Sequence, residues 1–251
     1  MTRTAVHLSP HPDDEALGAP ATLLLLLDAD WQVVNAVATL GRDPTRHAGR
    51  RAEAEHAAAF AGWELRVVAS VGDLATMRPD VWISPSPHDG HPTHERVARE
   101  LRDVIERSGA PTRWWMWGGW ADLPMATMYV PFGESLLERA RHVLDAYAGE
   151  VARNDYRRLL LARATANAVL GSERVFGFGA AAASPALYAE LLTEVVFNGS
   201  TWELGAPQIW SADAELVDPT AEDIGWWLHA PSVREARVRA SGPVGTPPEG
   251  G

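Results

Sequence analysis

The sequence predicts an α/β fold: a mostly parallel sheet with helices on both faces. Three observations carry this. Short β-prone runs alternate with helix-length segments from the N-terminus to Trp117, the pattern of βαβ units. Two Pro-flanked segments rich in acids and histidines, His11 to Glu15 and His88 to Glu95, follow the first and fourth of those runs. A chain of 251 residues, 46% hydrophobic, is long enough to bury a full core without disulfides.

The elements follow in order. Thr4 to Leu8 is a short β-prone run that stops at Ser9-Pro10, and the Ala/Leu-rich stretch Ala16 to Leu27 suits a helix. Val33 to Leu40 reads as a second strand and Ala48 to Ala61 as a second helix. Leu65 to Val71 and Asp80 to Ser84 give strands three and four. His94 to Arg107 has apolar residues at 97, 101, 104 and 105, an amphipathic helix. Arg113 to Trp117 is a fifth strand. Beyond it, Ser135 to Tyr147, Asp155 to Leu170 and Ala186 to Val196 read as helices, while the stretch holding Trp202, Trp210, Trp226 and Trp227 gives no clear pattern. The expected organisation is one domain over about 1–241, with a core over about 1–120 and a C-terminal elaboration packed onto the sheet. The Gly/Pro-rich segment 242–251 is expected to be a disordered tail.

Composition narrows the function. With 22 basic and 33 acidic residues the formal charge is −11, a surface that repels nucleic acids and anionic membranes. Every basic residue is Arg, so Schiff-base lysine chemistry and a P-loop lysine are excluded. With no Cys, any metal must be held by imidazole nitrogen and carboxylate oxygen. The N-terminus has no signal-like apolar stretch, and the run Leu23 to Leu27 is too short to span a bilayer, so the expectation is a soluble, cytoplasmic protein. A homo-oligomer is left open.

In open α/β sheets, sites form where strands end and helices begin, and His11-Pro12-Asp13-Asp14-Glu15 sits at such a place. Pro10 and Pro12 stiffen the loop. Helix capping explains one Asp and Glu15, but leaves the His and the adjacent Asp pair unexplained. A metal site uses all of them: His11 and Asp14, three apart, converge on one cation, and Asp13 is left over as a general base. The second segment mirrors the first. Its His88, His91 and His94 supply candidates for a third ligand and an acid, and three protein ligands plus an open position is the usual catalytic zinc arrangement. His88 alone reads as a turn or surface residue. Of the tryptophans at 114, 115, 117 and 120, the first three suit a buried strand, and Trp117 or Trp120 suits a pocket wall.

HPDDE after strand one, paired with GHPTHERV after strand four, resembles the LmbE-like, or PIG-L, family of N-acetylglucosaminyl deacetylases and related amidases. The resemblance covers residues 4 to 110 and continues weakly to Phe176. It implies a Rossmann-like α/β layer sandwich with a variable C-terminal extension. It also implies one Zn2+ per chain on His11, Asp14 and His94, with Asp13 as general base. His91 would stabilise the oxyanion or protonate the amine, and Arg50 and Asp89 would contact the substrate. The expected reaction is removal of an N-acetyl group from an amino sugar or an amino-sugar-containing natural product, a small-molecule N-acylated substrate. Three departures bear on substrate identity: Thr93 replaces the usual Asp of the second motif, Ala19-Pro20 replaces a Gly-Gly pair, and Asp89 stands where some sugar deacetylases carry Tyr. The alternatives are an amidase for a longer acyl chain or a non-sugar amide, and an impaired homologue that only binds a sugar-like ligand.

Overall fold

A computed structural model describes residues 2–232 and Glu235; the expected tail at 242–251 lies outside the described residues. Strands β1 (Thr4–Ser9), β2 (Gln32–Val37), β3 (Glu64–Val67), β4 (Val81–Pro85) and β5 (Thr112–Trp117) lie parallel in the order β3-β2-β1-β4-β5. The order reverses between β1 and β4, so the crevice outside their C-terminal ends is the topological switch point, where open α/β sheets bind ligands.

The connecting helices are α1 (Asp14–Gly18), α2 (Pro20–Asp28), α3 (His47–Ala61) and α4 (Pro92–Ser108). The sequence suggests one helix over Ala16 to Leu27, but the chain breaks at Ala19, because Pro20 has no N–H and starts α2 at its first turn. The break is also a close approach: a Cβ on Gly18 would lie 2.4 Å from the Trp117 ring. Helix α4 starts two residues earlier than its periodicity suggests, again on a proline. It buries Val97, Leu101, Val104 and Ile105, each worth about 1.5–3 kcal/mol.

The two faces of the sheet carry separate cores. Val6, Leu8, Trp82, Trp114 and Met116 pack against α4, whereas Ala5, Val81, Ile83, Trp115 and Trp117 join the cluster formed with α2, α3 and later helices. Alternate residues of β5 thus serve opposite faces, as strand geometry requires.

The C-terminal part does more than roof the sheet. After β6 (Met128–Phe132) come α5 (Glu134–Asp145), α6 (Ala148–Arg153) and α7 (Tyr156–Phe176). Strand β7 (Tyr188–Phe197) then runs antiparallel between β5 and β6, with β8 (Trp202–Leu204) and β9 (Gln208–Ile209) added beside β7 and β6. A short α8 (Gly225–Leu228) follows. The helix expected over Ala186 to Val196 is therefore the ten-residue strand β7. Its two glutamates imitate the polar face of a helix, yet both are buried and bonded. Glu190 accepts from the backbone N–H groups of Ala21 and Thr22, and Glu194 accepts from Trp115 Nε1 and pairs with Arg113. A strand buried on both faces has no clean alternation to read.

Candidate metal centre and pocket

The loops after β1 and β4 meet at the switch point. Asp14 stands at the start of α1 and addresses two histidines at once: Oδ2 is 3.2 Å from His11 Nδ1, and Oδ1 is 3.2 Å from His94 Nε2. The His11 backbone N–H also donates to Asp14 Oδ2 at 2.7 Å, which fixes the turn. One ligand atom from each of the three residues falls within 4.8 Å of the other two. Burial opposes ionisation of Asp14, yet the facing His94 and His11 rings hold its carboxyl well below the ordinary range. Burial also opposes charge on His94, but Asp14 and Asp89 push its pKa up to about 10. Two imidazole rings gathered on a buried carboxylate make a donor set suited to a divalent cation.

Asp13 sits next to this set in a left-handed conformation, φ 105°, that non-glycine residues rarely adopt. Burial raises its pKa well above the usual carboxylate range, and Asp14, Glu15 and Glu150 push the same way, against Arg50. Arg50 lies 3.7 Å from Asp13 Oδ1 and donates to the carbonyls of Pro12 and Leu40 at 3.3 and 3.2 Å, so it braces the first loop while lining the cavity. The His91 ring lies 4.4 Å between centroids from His94, tilted to it, and 5.4 Å from His11, edge-on. Its Nδ1 is buried with no hydrogen-bond partner among the described residues. Burial lowers its pKa, as do the neighbouring His94 and His11, leaving a neutral ring.

Asp89, expected as a substrate contact, is fully buried behind His94, which leaves it no surface for a substrate. Its Oδ2 approaches His94 Nδ1 at 2.8 Å, and its Oδ1 accepts from the backbone N–H groups of Gly119 and Trp120. His88 turns away from the site and bonds the Trp227 carbonyl at 2.7 Å.

Several residues complete the site beyond the predicted ligands, base and acid. His7 on β1 lies beneath it, wholly buried. It accepts from Trp117 Nε1 through Nε2 at 3.0 Å and faces Asn35 Oδ1 through Nδ1 at 3.0 Å, and burial lowers its pKa to about 4. Glu15 accepts from Ser9 Oγ and from the Tyr147 hydroxyl, tying α1 to the turn between α5 and α6. Glu150 on α6 and Arg153, Tyr156, Leu159 and Arg163 on α6 and α7 complete the lining of a cavity of about 520 Å³. Trp117 and Trp120 also line it: Trp120 is 65% exposed and lies over His91. The only legible clue to the α7 residues was the 156, 159, 163 spacing on one helix face.

Fold and site together define an α/β protein with a candidate His2Asp metal centre at the sheet's switch point. No protein-family model matches the chain, and no curated protein sequence matches it. Solved structures do share the fold. One is the teicoplanin deacetylase Orf2 in a zinc-inhibited form, 14% identical, covering 78% of this chain and 100% of that one, TM-score 0.56. Another is the N,N'-diacetylchitobiose deacetylase of Pyrococcus horikoshii, 16% identical, covering 78% of this chain and 84% of that one, TM-score 0.57. A third is GalB, the 4-carboxy-2-hydroxymuconate hydratase of Pseudomonas putida KT2440, 14% identical, covering 77% and 96%, TM-score 0.60. The chain thus has the α/β fold found in deacetylases of the LmbE-like type. Among the described residues no helix is long and apolar enough to cross a membrane.

Proposed function

We propose that the protein is a divalent-metal-dependent N-deacetylase acting on an amino sugar or an amino-sugar-containing natural product, with zinc as the metal. The observation that carries this is the convergence of His11, Asp14 and His94 beside a leftover carboxylate, Asp13, at the floor of one cavity. The likeness to deacetylases of chitobiose and teicoplanin supports the choice of amide over other bonds.

A divalent ion bound there supplies Lewis acidity, polarising the amide carbonyl and lowering the pKa of water to about 7. Asp13 accepts the proton as water attacks, and its high proton affinity suits it to pass that proton to the departing amine. Arg50 holds the Asp13 loop in its left-handed turn. His91 lines the same cavity, and a ring N–H there donates to the developing oxyanion, a contribution of typically about 3 kcal/mol. Trp117 and Trp120 wall the reacting centre from bulk water.

A second reading has one specific observation behind it. Arginines line the cavity, and GalB, by its name, hydrates a carboxylated compound. Product analysis by mass spectrometry separates the two. A panel of N-acetylated amines should yield acetate plus free amine, with the yield suppressed by chelator. A single product heavier by one water from an unsaturated acid, with no acetate from any amide, would overturn the deacetylase reading.

A further inference from the structure

The reacting end of the cavity is built by the loops after β1 and β4; residues of α6 and α7 also line it and belong to no part of the proposed chemistry. The cavity lining is cationic. Arg46, Arg50, Arg153 and Arg163 all line the cavity of a chain whose overall charge is −11. The acids nearby are already engaged. Asp14 sits between the two histidines and Asp13 faces Arg50. Glu150 is shared by Arg46 at 3.3 Å, Arg50 at 3.5 Å and Arg153 at 2.7 Å, so one carboxylate serves three guanidinium groups.

Arg163 stands apart. Among the described residues it forms no ion pair, and its one hydrogen bond goes from Nη2 to the Gly118 carbonyl at 2.5 Å. A guanidinium carries five N–H donors in a planar fork, so most of its donors are unspent. Burial lowers its pKa, and Asp89 and Asp122 counter that only from longer range. A half-buried cation with no carboxylate in direct contact costs stability unless something else supplies an anion. Arg163 shares a face of α7 with Tyr156 and Leu159, at i, i+3 and i+7, and all three line the cavity. Arg163 therefore lines the same cavity as the metal centre, beside the Trp117–Trp120 turn whose Gly118 carbonyl it bonds, in a volume suited to a sugar-sized body.

We propose that Arg163, assisted by Arg153, forms an oxyanion subsite, so that the amine-bearing part of the substrate carries a carboxylate or phosphate group. This rests on the deacetylase reading for the other end of the substrate. Arg163 and Arg153 are then specificity-determining residues: they select and orient, while the amide is cut at the metal centre. An acid-rich surface repels free anions, so the subsite acts by short-range, charge-assisted hydrogen bonds inside the cavity.

The test compares three probes on the metal-loaded protein: N-acetylglucosamine, its 6-phosphate, and N-acetylmuramic acid, which carries a carboxylate. At least one anionic probe should exceed the neutral one in kcat/KM by about tenfold or more, the scale of a charge-assisted hydrogen bond, and the better of the two identifies the anion. Arg163→Gln should bring the ratio of anionic to neutral kcat/KM close to one, and Arg163→Lys should restore part of it. If Arg163→Gln does not fold, Arg153→Gln, at a half-exposed position, should lower the same ratio. Calorimetry with glucosamine and glucosamine 6-phosphate reads the subsite without turnover. Tighter binding of the phosphate with no acetate from any probe would contradict the deacetylase reading and leave the subsite standing. Equal handling of neutral and anionic probes in both measurements, or an unchanged ratio in both Arg variants, overturns the subsite.

Discussion

Asp89 Oδ2 lies 2.8 Å from His94 Nδ1, while the other nitrogen of the same ring faces Asp14 Oδ1 at 3.2 Å. The buried carboxylate therefore sets which nitrogen of His94 is free to meet a cation. This is the arrangement by which a carboxylate behind a histidine orients a metal ligand and raises its basicity. The other oxygen of Asp89 anchors Gly119 and Trp120, so the same side chain fixes both the ligand and the pocket rim.

Asp89→Asn should accordingly weaken divalent metal binding by about 10- to 100-fold, measured by competition with a chromogenic chelator. Unchanged affinity would show that the pair only packs.

Asp13→Asn tests the base. Asn tolerates the left-handed region better than most residues, so the loop should survive the change. Acetate release should fall about 10²- to 10⁴-fold with the metal content unchanged by elemental analysis. Normal turnover would remove Asp13 from the mechanism.

His7 and Glu190 give opposite pH dependences of stability. His7 has its pKa lowered from 6.5 to about 4, so the unfolded chain binds the extra proton, and stability is lost as pH falls from 6.5 towards 4. Glu190 has its pKa raised from 4.5 to about 7, so the folded chain holds the proton, and stability is lost as pH rises from 4.5 towards 7. Each shift is worth roughly 3 kcal/mol over its window. Relative to the parent, His7→Gln should make the slope of stability against pH more negative between 5 and 6.5, and Glu190→Gln should make it more positive, as read by urea unfolding at a series of pH values. Parallel curves for all three proteins would contradict both assignments.

Gly18→Ala probes the break between α1 and α2. The added methyl would meet the Trp117 ring at 2.4 Å, and Trp117 is held in place by its hydrogen bond to His7. Overpacking of this kind costs about 1–3 kcal/mol. Thermal unfolding should shift down by several degrees, and a Tm equal to the parent's would show that the ring can yield.

The parallel half of the fold was legible because its strands and helices keep distinct periods and because prolines mark the helix starts at Pro20 and Pro92. The candidate ligand set was legible for a related reason: His11 and Asp14, and His91 and His94, are close in sequence, and both loops leave strands that point the same way. What the sequence hid was long-range. Asp89 reads as a loop acid until β5 brings Gly119 and Trp120 against it. His7 lacks acidic neighbours in sequence and gains its partners from β2 and β5. Glu190 and Glu194 disguise a central strand as a helix, because their partners lie about 170 and 80 residues away. The arginine wall comes from helices that carry no motif.

The central claim is amide hydrolysis by one divalent metal held on His11, Asp14 and His94. Its most direct test is acetate release from an N-acetylated amino sugar while metal-free protein is titrated with Zn2+. Activity should be absent at the start, rise linearly and level off at one equivalent per chain, and His94→Ala should not respond. Full activity before any metal is added, or an equal response from His94→Ala, would contradict the account.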